Sequence, residues 1–102
     1  MTKAQTAQAI SETITLDTPI ARGETTIDEI IVRKPTSGEL RGVALSDVLQ
    51  LQVDALVKIT PRLSSPALTE PEMRHLDPAD LVQIGGVIAG FLLTKRAKGE
   101  TV

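Results

Sequence analysis

Hydrophobic and polar residues alternate along the first part of the chain and then recur at the wider spacing of helices. Ile14 and Leu16 alternate with Thr15 and Asp17, which is the two-residue period of a half-buried β-strand. A second stretch rich in β-branched residues follows over residues 25–33. The two stretches predict a pair of neighbouring strands.

The segment between these stretches predicts how the strands connect. Gly23 tolerates the positive φ angle that a tight turn needs, so we expect a hairpin that turns near Arg22 and Gly23. Pro19 has no backbone N–H to donate to a neighbouring strand, so the first strand should lie at the edge of the sheet. A lone hairpin is marginally stable in water, and it must therefore pack on the rest of the chain.

Apolar residues after the hairpin recur at helical spacing, with capping residues between the segments. Thr36 or Ser37 is predicted to cap a short helix that ends at Gly42. Ser46 is predicted to cap a longer helix that continues without interruption through the apolar stretch that follows it. Residues 64–66 then predict a loop.

The last two helices carry the clearest start signals in the sequence. Thr69 with Glu72 three residues later has the spacing of a capping box, and it predicts a short helix. Asp77 as the cap and Pro78 at the first helical position predict the start of a longer helix, which should run to about Lys95.

These elements predict an α+β fold in which an N-terminal β-hairpin packs on a small bundle of three to five helices. We expect one domain over residues 12–96, with the hairpin in residues 12–34 and the helical part in residues 35–96. Residues 1–11 should form a flexible N-terminal tail, and residues 97–102 should fray.

Composition narrows the chemistry that this fold can perform. The chain has no Cys and one His, His75, which excludes disulfides, thiol catalysis and Cys-based zinc sites, so we expect neither a metal nor a cofactor. Asp28 and Glu29 are adjacent in a predicted strand and should point to opposite faces, so they cannot form a catalytic pair. We therefore expect no catalytic residues and a protein that is not an enzyme.

Charge and aromatic content argue against nucleic acid as a partner. The formal net charge is −2, and positive and negative side chains are spread evenly along the chain, so no basic stripe is available for a phosphate backbone. Phe91 is the single aromatic residue, which leaves no stacking platform for single strands. We expect no nucleic-acid partner.

The predicted last helix is apolar on nearly all sides. Only about 14 residues separate Asp80 from Lys95, against the roughly 20 that a bilayer needs, so no membrane span is expected. Two interpretations stay open: a central core helix whose glycines permit close crossing, or a helix that presents part of its surface to a partner or to a second copy. The candidate partner-binding residues are Leu81, Ile84, Gly86, Ile88, Gly90, Phe91 and Leu92.

Several stretches of the chain resemble a known family. The most specific is residues 33–42, read RKPTSGELRG, and the match continues through residues 14–20, 45–49 and 76–81. Together they resemble the phage tail assembly chaperone family that is labelled "E, or 41 or 14", found in Mu-like and other contractile-tailed phages and prophages. The resemblance covers about residues 12–93.

The resemblance implies a function that the spacing of residues does not. Such proteins are made in the host cytoplasm, bind the long tape measure protein, keep it soluble and help to recruit tail tube subunits. They are absent from the mature virion, and a frameshift often yields a longer second product. The prediction is thus a non-enzymatic assembly chaperone. The alternatives are a small structural tail or baseplate adaptor retained in the virion, and a β-ribbon regulator, which the even charge argues against.

Overall fold

The computed structural model of the protein describes residues 11–93. The predicted tail, apart from Ser11, and the predicted fraying of residues 97–102 lie outside the described residues, as does the predicted helix end at Lys95. The fold is α+β, as predicted. The strands are β1 (Ser11–Arg22), β2 (Thr25–Arg33) and β3 (Ser64–Ser65). The helices are a 3-10 helix (Ser37–Leu40), α1 (Leu45–Leu49), α2 (Val53–Leu63), α3 (Glu70–Arg74) and α4 (Pro78–Phe91).

The predicted hairpin is confirmed at the predicted turn. β1 and β2 pair antiparallel, Arg22 stands opposite Thr25, and Gly23 between them has a φ of 61°. Such a positive φ strains residues with a Cβ, which explains the glycine at this position. The strand order in the sheet is β1-β2-β3, so β1 lies at an edge as Pro19 indicated.

β1 contains a large bulge around Pro19. Thr15 pairs with Glu29 and Ile20 pairs with Ile27, so residues 16–19 of β1 stand opposite a single residue of β2. A bulge bends its strand and re-aims the backbone groups that leave the ladder. The freed N–H groups of this bulge point to α4, as described below.

The helix predicted from Ser46 is wrong in two respects. It begins at Leu45, so that Ala44 rather than Ser46 occupies the cap position, and it breaks into α1 and α2. The break is at Leu51, whose φ of 58° is not compatible with a continuing helix. The side chain of Leu51 packs against Gly85 of α4, and this contact between distant segments accompanies the turn.

The loop predicted at residues 64–66 is also partly wrong. Ser64 and Ser65 form β3, in which Ser64 pairs with Val32 and Ser65 with Ile31 of β2. The pairing covers part of the second edge of β2, whose backbone groups would otherwise lack partners there. α2 ends at Leu63, immediately before this strand.

The caps predicted for the remaining helices are confirmed. Thr36 precedes the 3-10 helix, and its N–H donates to the Glu39 carboxylate at 3.0 Å. Thr69 and Glu72 form the predicted capping box of α3. Asp77 caps α4 by accepting a hydrogen bond from the N–H of Ala79.

One hydrophobic core lies between the hairpin and the helices. α4 packs on β1 and β2 of the hairpin and on the helices α1 and α2. Its inward residues are fully buried beside apolar residues of both strands and of α2. Burial of each large apolar side chain stabilises the fold by roughly 2 kcal/mol. The apolar residues with no exposed surface are Ile30, Val32, Val48, Ile59, Ile84 and Ile88.

Candidate functional site

The residues predicted to bind a partner divide between two sides of α4. Ile84 and Ile88 lie in the core, so neither presents a surface to another molecule in this fold. Leu81, Phe91 and Leu92 are half-buried and pack against the core. Gly86 is exposed and Gly90 is half-buried on the side away from the core. The core-helix interpretation therefore holds for one side of α4, and the surface interpretation concerns the other.

We call Val82, Gly86, Gly90 and Leu93 the outward face of α4. Their spacing of four, four and three residues places them on one side of the helix and its continuation. Val82 is 60% exposed and Leu93 is 41% exposed. No charged residue occurs between Asp80 and Leu93. A helix at the surface of a globular protein normally places charged and polar residues outward, so this uncharged face is unusual.

Glycines of α4 differ in what surrounds them. A Cβ added at Gly85 would lie 2.9 Å from Cδ1 of Leu56 and 3.0 Å from Cδ2 of Leu51, so α4 passes close to these two side chains at Gly85, and a larger residue there would have to displace their terminal methyl groups. A Cβ added at Gly86 or Gly90 would have no neighbouring atom within 4 Å. Of these three glycines, only Gly85 makes a close contact of the kind that the core-helix interpretation expects. Gly86 costs about 1 kcal/mol of helix stability relative to Ala, and no contact within residues 11–93 offsets it.

Asp80 fixes the N-terminal end of α4 to the bulge of β1. Its side chain is fully buried, and its two carboxylate oxygens accept hydrogen bonds from the N–H groups of Asp17 at 2.7 Å and Thr18 at 3.0 Å. The Thr18 hydroxyl donates to Asp77 at 2.6 Å. This bond, followed by the bond from the Ala79 N–H, lowers the pKa of Asp77.

Sequence reasoning missed this role of Asp80. An acidic residue in the first turn of a helix is expected for its interaction with the helix dipole, so the pattern of residues alone gives no reason to look for a further role of Asp80. The partners of Asp80 are 62 and 63 residues away along the chain. Pro19 in a predicted strand was the one local signal that β1 is irregular there.

Residues 33–42, the segment that carries the most specific resemblance, connect the hairpin to the helices through an ion pair and hydrogen bonds. Arg33 pairs with Glu39 through two hydrogen bonds, and it also donates to the backbone oxygen of Arg62 at 3.2 Å. Arg62 in turn donates to the backbone oxygens of Glu39 at 2.6 Å and Arg41 at 3.1 Å. The string therefore joins β2, the 3-10 helix and α2.

A second ion pair joins the hairpin turn to α3. The guanidinium of Arg22 donates from Nε to Glu72 at 2.9 Å and from Nη2 at 2.6 Å, and Nη2 also donates to the Ala67 oxygen. Hydrogen bonds from Arg22 and from the Thr69 N–H hold the pKa of Glu72 at about 2. Arg33 and the Thr36 N–H likewise hold the pKa of Glu39 at about 2.

These two carboxylates predict that the fold weakens in acid. Glu39 and Glu72 bind protons less tightly when folded, with a pKa of about 2, than the ordinary carboxyl pKa of 4.5 expected in the unfolded chain. Their stabilising contribution is complete above about pH 4.5 and is lost as the pH falls toward 2. Thermal unfolding measured between pH 7 and pH 2 should show the Tm falling over this window.

The double variant Glu39→Gln and Glu72→Gln isolates this effect. It should lower the Tm at pH 7 and flatten its decline between pH 4.5 and 2, because the groups that bind protons differently in the two states are gone. Glu29→Gln on the exposed face of the hairpin is the control. A decline that is as steep in the double variant as in the original protein would contradict the assignment.

One groove of the described surface has carboxylates and the histidine on its wall, but these groups are paired with other residues of the fold. A groove of about 330 Å³ lies between the bulge of β1 and α3, and two carboxylates on its wall are Glu72, paired with Arg22, and Asp77, bonded to Thr18. His75 also lines it, with Nδ1 2.8 Å from the Pro71 oxygen. Within residues 11–93, no three His, Asp or Glu side chains come together as a metal site, and no helix is long and apolar enough to cross a bilayer.

The fold and surface together define a small α+β domain whose distinctive feature is an uncharged apolar helix face. The chain belongs to the family of phage tail assembly chaperone proteins described as E, or 41 or 14, which matches residues 13–93. The resemblance noted in the sequence is confirmed.

Two relatives from Escherichia phage P2 are similar to this chain. Tail assembly protein E is 48% identical over 79 residues, which cover 78% of this chain and 87% of the relative. Tail assembly protein E′ is 46% identical over 82 residues, which cover 80% of this chain and 58% of the relative. The chain thus spans little more than half the length of E′. No solved structure matches it.

Proposed function

We propose that this protein is a non-enzymatic chaperone that binds the phage tape measure protein, keeps it soluble and helps to recruit tail tube subunits to it. The observation that carries the proposal is the outward face of α4. It exposes Val82 and Leu93 with no charged residue between Asp80 and Leu93, on a domain that belongs to the tail assembly chaperones. Contiguous apolar patches that are exposed on a protein often mark sites at which another molecule binds.

The mechanism is reversible burial of apolar surface. A long helical client exposes apolar stripes that associate with one another unless they are covered. Covering them with the outward face of α4 removes both surfaces from water, which stabilises the complex by roughly 25 cal/mol per Å² of apolar area. Since no charged residue lies on the face, binding should change little with salt.

Release belongs to the same mechanism. Tube subunits must replace the chaperone on the client, so affinity on the order of micromolar for each site suits the task better than picomolar affinity. We propose further that residues 12–96 act as one unit, that the protein works in the host cytoplasm, and that it leaves before the virion is complete.

Coexpression tests the proposal. The tape measure protein of the same phage should be largely insoluble when expressed alone and soluble when expressed with this chain. Val82→Asp should remove most of that gain, because it places a carboxylate on the outward face where the exposed position leaves the fold intact. Glu29→Lys, on the hairpin, is the control and should retain the gain.

The opposite result is equally clear. If soluble tape measure protein is no more abundant with this chain than with an unrelated small protein, the proposed function is wrong. Equal activity of Val82→Asp and the original chain would leave the function standing and remove the outward face of α4 from it.

A further inference from the structure

The groove between the bulge of β1 and α3, which we call the β1–α3 groove, has mostly apolar walls. Pro19, Ile20 and Ala21 of β1 form one part of the wall, and Pro71 and Leu76 form another. Its volume of about 330 Å³ is near the lower limit of the roughly 300–1,000 Å³ found for pockets that hold small molecules, so it suits a single long side chain. The groove shares no residue with the outward face of α4.

Asp77 gives the β1–α3 groove a negative charge that no cation of the fold neutralises. Its carboxylate accepts hydrogen bonds from a hydroxyl and from a backbone N–H, both uncharged donors, and these bonds lower its pKa. An ionised carboxylate has roughly four acceptor positions, so acceptor positions remain at Asp77. The other carboxylate on the wall, Glu72, is paired with Arg22. Within residues 11–93, no Lys or Arg pairs with Asp77 or lines the groove.

His75 adds a second acceptor to the wall of the groove. Its Nδ1 lies 2.8 Å from the carbonyl oxygen of Pro71, and Nδ1 must hold the proton of this bond because a carbonyl can only accept. In the neutral ring, Nε2 is therefore an acceptor. Asp77 and His75 thus both offer acceptors, so a ligand that fits them supplies the donors.

We propose that the β1–α3 groove binds a basic side chain, that of an arginine or a lysine, from a protein that docks on this side of the domain. The methylene stem of such a side chain packs along apolar surface while its charged head stays at polar groups, and the groove presents both kinds of surface. The inference goes beyond the proposed function, which concerns the outward face of α4, and gives the domain a second contact of different chemistry.

A side chain of a docked protein suits this groove better than a free cation does. An ion pair that remains in contact with water contributes little to affinity by itself, so a small free cation would be held weakly. In a docked protein, the same contact adds to a wider interface, where complementary charges favour the correct partner and an acidic side chain at Asp77 would be repelled. The groove therefore selects the partner more than it strengthens the complex.

Heteronuclear NMR of the isotope-labelled full chain tests the inference with a blocked tripeptide that carries arginine between two alanines. The peptide should shift the backbone N–H signals of Ala21, Glu72 and His75, and the shifts should saturate with a Kd on the order of millimolar. A peptide with norleucine in place of arginine keeps the stem without the charge and should bind about threefold or more weakly. A peptide with glutamate in that place should not bind, because Asp77 repels it.

Variants of the chain separate the charge from the shape of the groove. Asp77→Asn removes the charge and retains a residue that caps helices well, so it should stay folded and bind the arginine peptide about threefold more weakly. Ala21→Arg places a basic side chain of the chain itself at the groove and should abolish binding of the peptide. Asp54→Asn on α2 does not line the groove, so it is the matched control and should bind as the original chain does.

Several results would overturn the inference. Equal affinity for the arginine and norleucine peptides would show a groove that does not select charge, and unchanged affinity in Ala21→Arg would place the binding elsewhere. Tighter binding of spermidine than of the arginine peptide would make a free polyamine the occupant. Coexpression with the tape measure protein depends on none of these results, so the inference and the proposed function can fail separately.

Discussion

Ile88→Asp is expected to abolish the cooperative unfolding transition of this protein. Ile88 has no exposed surface and packs in the same cluster as Ile84, Ile30 and Val32. An isolated carboxylate in that position has no partner, and burying it costs several kcal/mol. A domain of this size has a total stability of roughly 5–15 kcal/mol, so the change removes a large part of it.

Far-UV circular dichroism during heating measures this effect directly. Val82→Asp is the control on the same helix, since it makes the same kind of change at a position that is 60% exposed, and it should keep a sharp transition near the original Tm. A sharp transition near the original Tm in Ile88→Asp would mean that α4 does not pack in the core as described.

Asp80→Ala is the second large effect that we expect. The change removes the acceptor of the N–H groups of Asp17 and Thr18 and leaves both without their partner at the bulge of β1. Hydrogen bonds to a charged group contribute about 1.5–3 kcal/mol each, so the free energy of unfolding should fall by about 3 kcal/mol. Chemical denaturation with urea gives this free energy.

The conservative variant distinguishes the hydrogen bonds from the rest of the site. Asp80→Asn retains one acceptor oxygen but turns an NH₂ group toward the second N–H, so it should also destabilise, though less than Ala. Asp77→Ala removes the cap of α4 and the acceptor of the Thr18 hydroxyl, and it leaves the N–H groups of Asp17 and Thr18 bonded to Asp80, so it should cost about 1–2 kcal/mol. A loss in Asp80→Ala no greater than that in Asp77→Ala would show that Asp80 does not secure the bulge.

Much of the fold follows from signals that act over a few residues. Gly23 predicts the hairpin turn because only a short segment decides its φ angle. Asp77 and Pro78 predict the start of α4 for the same reason, and Thr69 with Glu72 predicts α3. Helix caps, tight turns and strand edges of this kind are determined by a few neighbouring residues, so they can be predicted without knowing how distant segments pack.

The features that the sequence did not predict depend on distant contacts. The left-handed turn at Leu51 divides a segment whose apolar spacing is that of one helix, and its side chain packs on Gly85 across the fold. β3 exists because Ser64 and Ser65 reach the edge of β2, which no pattern in two residues predicts. The buried role of Asp80 requires a strand more than 60 residues away.

The candidate site could be predicted only in part. Apolar residues all round the last helix correctly indicated that it is unusual, but a one-dimensional pattern cannot say which side is covered by the hairpin and α2. Ile84 and Ile88 were grouped with Gly86 for this reason, although they lie on opposite sides of α4. Val82, the most exposed large apolar residue of the outward face, is not among the residues predicted to bind a partner.

The string at residues 33–42 illustrates the difference between a family signature and a binding site. Its Arg33, Thr36 and Glu39 side chains bond to one another and secure the junction of the hairpin with the helices. The most specific stretch of the sequence thus holds the domain together, whereas the surface proposed to bind a client is made of common apolar residues. Recognition of the family and location of the site are separate problems here.

The central claim is tested most directly by comparing infected-cell lysate with purified virions. Quantitative mass spectrometry should find this chain copurifying with the tape measure protein from lysate taken during tail assembly. It should be missing from mature tails, because tube subunits have replaced it on the client. Its presence at fixed stoichiometry in finished particles would contradict the chaperone assignment and identify a structural adaptor of the tail instead.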